Sequence, residues 1–362
     1  MQELRHSVRS LLKQPGFTAV VILTLALGIG INTAVFSVVD AVLFRPLPFE
    51  RSDRLMDLYQ QTDSNSVSLA ALPFDQIQTW RNQTDVFQSV EAHSQTQFTM
   101  TGGGEPESIS AVSVTPGLFP MLGVAPALGR LFSPEEATTG NDHVVVLSDG
   151  FWKTRLGGDP AAIGKTVTLS DQRFTIVGVM PPKFKFPRNA ITLWVPLVPP
   201  IVEPGKRAGY FGALARLKDG LSVEVAQSRL NALKVSLAKD RPDVSWGIKL
   251  MPLEDHRVNR RPREALLALL GAVGFVLLLS CANAANLLLA RAATRQSEIA
   301  IRMAMGARRS RLVRQLLAES LVLAVVAGIV GVAFAWLGVD ALARLVPSEL
   351  TFMSVAKIDI DP

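Results

Sequence analysis

The chain has 362 residues, a formal net charge of +6 and a single cysteine, Cys281. One cysteine excludes an intrachain disulfide, so any domain must fold on its apolar core alone. The charge is local: residues 44–264 carry 25 Lys/Arg against 23 Asp/Glu, while 291–319 carries seven Arg against two Glu, which excludes a nucleic-acid footprint and a nucleic-acid partner.

In residues 1–16, Leu4, Val8, Leu11 and Leu12 fall at i, i+4, i+7 and i+8, with Arg5, Arg9 and Lys13 on another face. This predicts an amphipathic helix lying on membrane lipid. Pro15-Gly16 ends it.

Three runs are free of charge: Gln14–Val39, Ala265–Ala290 and Ser320–Val339. Each reaches the ~20 residues a helix needs to cross the hydrocarbon core. They predict membrane spans at 17–43, 265–290 and 320–339. The first is too long for a signal-peptide core of ~7–15 residues, and Leu43-Phe44-Arg45-Pro46 offers no small-residue cleavage site, so it reads as an uncleaved anchor.

Charge sets the expected orientation. Arg5, Arg9 and Lys13 outweigh Glu3, and Arg291, Arg295, Arg302, Arg308, Arg309, Arg311 and Arg314 outweigh Glu298 and Glu319. Both short basic segments are held inside by the positive-inside rule, so 44–264 and the tail 340–362 lie outside.

Residues 44–264 alternate short strands and helices in an α+β pattern, at a length that allows two subdomains. Strands are expected at Ala111–Val114, Val144–Leu147, Phe211–Leu217 and Trp246–Leu253, with a hairpin Thr166–Leu169/Phe174–Met180 turning at Ser170-Asp171-Gln172. Short helices are expected at Pro116–Leu122, ended by Gly123, and after Ser148-Asp149. A longer one, capped by Ser222, runs to about Lys239 with Ala226, Leu230, Leu233 and Leu237 on one face. Glu254–Glu264 reads as a polar linker to the second span.

Catalytic signals are poor. No two of His6, His93, His143 and His256 stand at metal-ligand spacing, and no Ser/His/Asp set assembles. Gly158–Thr166, GDPAAIGKT, resembles a phosphate-binding loop but has five residues where the motif requires four, and it lies on the expected outer side. No catalytic residue, metal or resident cofactor is therefore expected.

Within the spans, Ala26, Gly30 and Ala34 repeat every four residues, as do Ala327, Gly331 and Ala335. Small residues at this spacing let helix backbones approach in lipid. Asn32, Asn283 and Asn286 are polar groups at membrane depth, expected to face other helices and hydrogen-bond there.

Three stretches carry a family resemblance. They are LTLALGIGINTAVFSVVDAVLFRPLPF (Leu23–Phe49), SVTPGLFPMLGVAPALGRLFSPEE (Ser113–Glu136) with LGGDPAAIGKTVTLSDQRFTIVGVMP (Leu156–Pro181), and CANAANLLLARAATRQSEIAIRMAMGARRSRLVRQLLAESLVLA (Cys281–Ala324). Together they resemble the MacB/FtsX-like permeases of ABC transporters, in the branch with a duplicated permease unit. The resemblance implies an inner-membrane α-helical protein of four spans per unit with an α+β extracytoplasmic domain between the first two. This chain shows three spans and stops before a fourth, so it is expected to be an N-terminal fragment.

The resemblance also implies a mechanism. A cytoplasmic ATPase subunit, carrying the ATP and Mg²⁺, presses on a short helix between spans two and three, here Ser297–Met305. Glu298 and Arg302 are i, i+4 partners there, Ile299 and Met303 form an apolar edge, and Gly306 ends the helix. A helix from Arg308 to Gln315 leads back to the membrane. A second copy of the chain or a second permease repeat, and a periplasmic adaptor, are the further implied partners. The expected function is thus the permease subunit of an ATP-driven efflux system. A membrane-anchored binding or sensor protein is the alternative, and a membrane-tethered hydrolase a third reading.

Overall fold

A computed structural model describes residues 15–40, 43, 47–61, 71–101, 105–182, 184–187, 191–200, 209–240, 246–256, 260–294 and 309–345. They fall into two compact units, one holding the three long helices and one lying between residues 46 and 257.

The helical unit contains α1 (Pro15–Val39), α6 (Arg260–Thr294) and α7 (Arg309–Leu345). Each includes a stretch long and apolar enough to cross a bilayer: Pro15–Val39, Arg263–Ala293 and Leu317–Gly338. α1 stops short of the expected 43 and gives way to a π-type turn at Asp40. The other two helices outrun their apolar cores. The expected linker Glu254–Glu264 is instead a 3-10 turn, Leu253–His256, followed by the start of α6 at Arg260, with Pro262 in the first turn, where a missing N–H costs no helical bond. The expected loop 291–319 is helical at both ends, because α6 continues to Thr294 and α7 begins at Arg309. Charged side chains do not stop a helix, so charge marks where a span leaves the lipid and not where its helix ends. The segments 1–14, 295–308 and 346–362 lie outside the described residues.

The α+β unit is built on an eleven-stranded sheet. Its strands are β1 (Leu55–Gln61), β2 (Leu72–Pro73), β3 (Phe87–Thr101), β4 (Glu107–Val114), β5 (Leu128–Gly129), β6 (Val144–Leu147), β7 (Thr166–Leu169), β8 (Gln172–Val179), β9 (Leu193–Pro196), β10 (Tyr210–Leu217) and β11 (Gly247–Pro252). The order is β11-β1-β10-β3-β4-β9-β6-β8-β5, with β2 paired to β10 and β7 paired to both β3 and β8. Pairing therefore closes a ring, β3-β4-β9-β6-β8-β7-β3. Its buried cluster is Ile109, Ala111, Val145, Leu147, Val167, Leu169, Phe174, Ile176, Leu193 and Val195, joined by Phe151 of α4 (Asp149–Leu156).

The fifteen-residue β3 belongs to both halves of the unit. Its first half pairs with β10, and its second half with β4 and β7. On the β10 side, α2 (Phe74–Arg81) and α5 (Val223–Asp240) lay Ile77, Trp80, Ala226 and Leu230 on Val90, Ala213, Ala215 and Leu250. A third cluster gathers α3 (Leu118–Leu122) with Leu55, Val112, Val114, Trp194, Phe184, Phe186 and Leu214. Residues 46–257 form one compact unit in which these clusters share a single sheet.

Local signals are obeyed where the sequence is explicit. The Ser148 hydroxyl accepts from Phe151 N, and the Ser222 hydroxyl from Val225 N, opening α4 and α5. Gly123 ends α3 at φ 70°, a left-handed conformation that costs glycine little. The β7–β8 hairpin turns on two residues, Ser170 (φ 47°) and Asp171 (φ 63°), so Gln172 belongs to β8 and not to the turn.

Candidate functional site

The small-residue stripes face one another. A Cβ built on Gly30 would stand 2.9 Å from Gly331 O, and one on Gly331 would stand 3.0 Å from Ala26 O. Ala26 and Ala327 are fully enclosed, and Ala34 and Ala335 nearly so. Both stripes therefore form one contact, α1 on α7, as backbone approach in lipid requires. α6 packs on another side of α1, where Gly28 meets the Ser280 side chain. Val21, Ala284 and Leu323, one from each helix, share a cluster with Phe17, Leu25, Leu287 and Val322.

The asparagines behave differently. Asn32 is part-buried, while Asn283 and Asn286 lie on the exposed side of α6 within this chain. The reason is helical phase: Ser280, Ala284, Leu287, Leu288 and Arg291 make the packed stripe of α6, which turns residues 283 and 286 away from it.

At the loop-side end of the bundle the structure brings together two charges that the sequence separates by 28 positions. Arg291 Nη1 of α6 lies 3.9 Å from Glu319 Oε2 of α7, with side chains only 7% and 6% exposed. Arg291 Cζ also sits 4.8 Å from the ring centroid of Phe17 on α1. Arg291 and Glu319 are thus not solvated loop charges, as their place in a basic segment suggested. Each is the first charge beyond its apolar run, and that was the one available signal. Glu298, Ile299, Arg302, Met303 and Gly306, the expected coupling residues, lie outside the described residues.

In the α+β unit the polar anchors gather where the chain arrives from α1 and leaves toward α6. The buried Arg216 guanidinium donates to the carbonyls of Met121 (2.6 Å), Glu50 (2.6 Å) and Arg51 (3.1 Å). Ser52 Oγ donates to Glu254 Oε1 at 2.8 Å, and β1 pairs antiparallel with β11, from Met56↔Pro252 to Gln61↔Gly247. The first and last strands of the unit are therefore neighbours, and their outer ends are tied to each other.

Two titratable groups on β3 are perturbed by burial. Burial pushes the Glu91 carboxyl above its ordinary value, while the Thr115 hydroxyl, which donates to it, and Arg81 at 3.3 Å pull it back. Burial holds the His93 imidazole below its ordinary value, opposed by Asp57. The His93 ring packs edge-on to Phe186 at 5.3 Å and occupies the space beside Gly212. These contacts describe a packed histidine.

The segment resembling a phosphate loop has a different geometry. Asp159 caps a 3-10 turn, Pro160–Ala162, by accepting from Ala161 N, and its other oxygen accepts from Lys165 Nζ at 2.9 Å. The chain then enters strand β7, where a phosphate loop would open a helix. Among the described residues, no group of three or more His, Cys, Asp or Glu is placed to hold a metal.

Comparison with known proteins agrees with this organisation. A model of the MacB-like periplasmic core domain matches residues 18–233, and one of the FtsX-like permease C-terminal matches residues 270–362. The macrolide export ATP-binding/permease protein MacB of Chromobacterium violaceum is 25% identical over 241 residues, covering 66% of this chain and 36% of that protein. The protein of the same name from Campylobacter jejuni is 23% identical over 337 residues, covering 91% of this chain and 50% of that one. The chain thus spans between about a third and a half of the length of these relatives. The crystal structure of the periplasmic region of MacB from Actinobacillus actinomycetemcomitans superposes with a TM-score of 0.42 at 18% identity, covering 56% of this chain and 91% of that one. With one family model covering well over half of its residues and a second covering the end of the chain, this protein belongs to the MacB/FtsX-like ABC permease family.

Proposed function

We propose that the chain acts as the permease subunit of an ATP-driven efflux or extrusion system in the inner membrane. The observation that carries this reading is the joined architecture: a two-lobed α+β unit inserted between the first two of three membrane-length helices, matched over both parts by the permease family. The named relatives are macrolide export proteins, and export is the activity class carried over to this chain. Basic flanks orient the N-terminus and residues 295–308 to the cytoplasm and residues 46–257 to the outside. ATP and Mg²⁺ are bound by a separate ABC ATPase. A second permease unit completes the membrane assembly, and an extracytoplasmic adaptor is a further partner.

In this account the ATPase docks on 297–305, where Ile299 and Met303 supply the apolar edge and Glu298 and Arg302 set the register, with Gly306 ending the helix. Motion of the segment is then carried by α6 and α7, the two helices that flank it. Within the α+β unit, β1 and β11 are paired neighbours whose ends are tied by Ser52–Glu254. The test is co-purification of ABC ATPases with the full-length protein from its host, wild type against Ile299→Asp/Met303→Asp. Retention by the wild type and loss by the double variant supports the reading. No ATPase with either form transfers the chain to the sensor class.

A further inference from the structure

We propose that Arg291, Glu319 and Phe17 form a three-helix clasp that fixes the loop-side ends of α6 and α7 against α1, so that displacement of residues 295–308 moves the three helices as one body. The proposal rests on the permease reading for what drives the motion, but the clasp itself is a statement about geometry.

Position comes first. Arg291 lies three residues before the end of α6, and Glu319 lies in the third turn of α7. The two helices that flank residues 295–308 in the sequence therefore meet at this pair. Chemistry comes second. Both side chains are more than nine-tenths enclosed, and an enclosed ion pair costs desolvation that an apolar pair of similar volume avoids. An apolar pair would hold the stems together equally well. What the ion pair adds is register, since a slip of one helical turn, ~5.4 Å, breaks it outright, whereas apolar side chains repack on new neighbours. The third helix enters through Phe17, whose ring receives the guanidinium face at 4.8 Å. α1 already packs on α7 through Gly30 and Gly331 and on α6 through Gly28 and Ser280, so the clasp closes a triangle whose other sides are glycine contacts. Arg291, Glu319 and Phe17 are positioning residues in this account. They fix how α6 and α7 meet, and they touch neither nucleotide nor cargo.

The experiment uses the full-length protein with its ATPase in lipid nanodiscs. Nitroxide labels are placed at the exposed positions Ala293 and Leu317 in a Cys281→Ser background. Pulsed EPR reads the width of the distance distribution, and ATPase stimulation by the permease reads coupling. The expected result is one narrow distance with Arg291. Arg291→Gln and Glu319→Gln should at least double the width and lower stimulation at least tenfold, and Arg291→Lys should restore most of both. The pair Arg291→Met/Glu319→Leu should fold yet remain broad and uncoupled. Unchanged widths in Arg291→Gln, or wild-type coupling in the apolar pair, overturns the clasp and leaves the residues as packing. A wild-type protein that stimulates no ATPase removes the permease reading instead, and the widths alone then decide the clasp.

Discussion

Gly30 of α1 and Gly331 of α7 meet backbone to backbone: a methyl group added to Gly30 would stand 2.9 Å from the Gly331 carbonyl oxygen. Neither backbone can yield without moving its helix. Gly30→Val and Gly331→Val should each destabilise the bundle by about 1–3 kcal/mol, the usual cost of overpacking. Gly274→Ala, which meets open space, should leave stability unchanged. Thermal unfolding of the full-length protein in detergent measures all three, and equal losses at Gly30 and Gly274 would contradict the packing.

Arg216 donates to three backbone carbonyls, those of Glu50, Arg51 and Met121. Arg216→Met keeps the apolar stem and removes the donor to the Glu50 and Met121 carbonyls, while Arg51 O retains Arg54 N, at a cost on the order of 3 kcal/mol. Hydrogen exchange should accelerate in 47–54 and 118–122 before the rest of the α+β unit. Uniform acceleration would show that Arg216 supports the whole core and not this junction.

Glu91 has its carboxyl raised by burial, so the folded state binds its proton more tightly than the unfolded state does. Stability from this group is therefore lost as pH rises from the ordinary value near 4.5 toward the raised folded value. Glu91→Gln should flatten that fall. The check is hydrogen exchange of β3 amides, wild type against variant at matched pH, with the difference between the two changing across this window. A pH-independent difference would contradict the shift.

Glu136 titrates with the opposite sign. The Arg130 side-chain hydrogen bond lowers its pKa below the ordinary 4.5, against the effect of burial. Its carboxylate also accepts from Ser133 N in a capping box that opens the turn Pro134–Ala137. The stabilisation is present above the ordinary value and lost as pH falls through the lowered one. Ser133→Ala should cost about 1 kcal/mol at neutral pH. Glu136→Gln should destabilise the turn at neutral pH and progressively less in acid, read as exchange of residues 134–137. A Glu136→Gln effect that persists undiminished in acid would contradict the role of the carboxylate.

Legibility in the sequence followed the strength of the local signal. Three charge-free runs gave the spans, and Ser148, Gly123 and Ser222 gave caps where the structure has them. Strand β3 went unread because Phe87–Thr101 mixes polar and apolar residues without a sustained alternation, being paired on both edges in two different lobes. α2 hid for a related reason, since Phe74, Gln76, Ile77 and Trp80 are only four buried positions in an eight-residue helix. The α1–α7 contact was readable as two stripes but not as partners, because spacing within a helix carries no information about which helix it meets. Arg291 and Glu319 were counted as loop charges, since charge sums ignore that each borders an apolar run and can fold back onto it.

The central claim is that a cytoplasmic ATPase engages the segment between α6 and α7. The most direct test is a photo-crosslinking amino acid at position 299 of the full-length protein in host membranes. The account predicts a covalent adduct with an ABC ATPase, lost when Met303→Asp is added. Adducts with lipid alone at position 299 would contradict it.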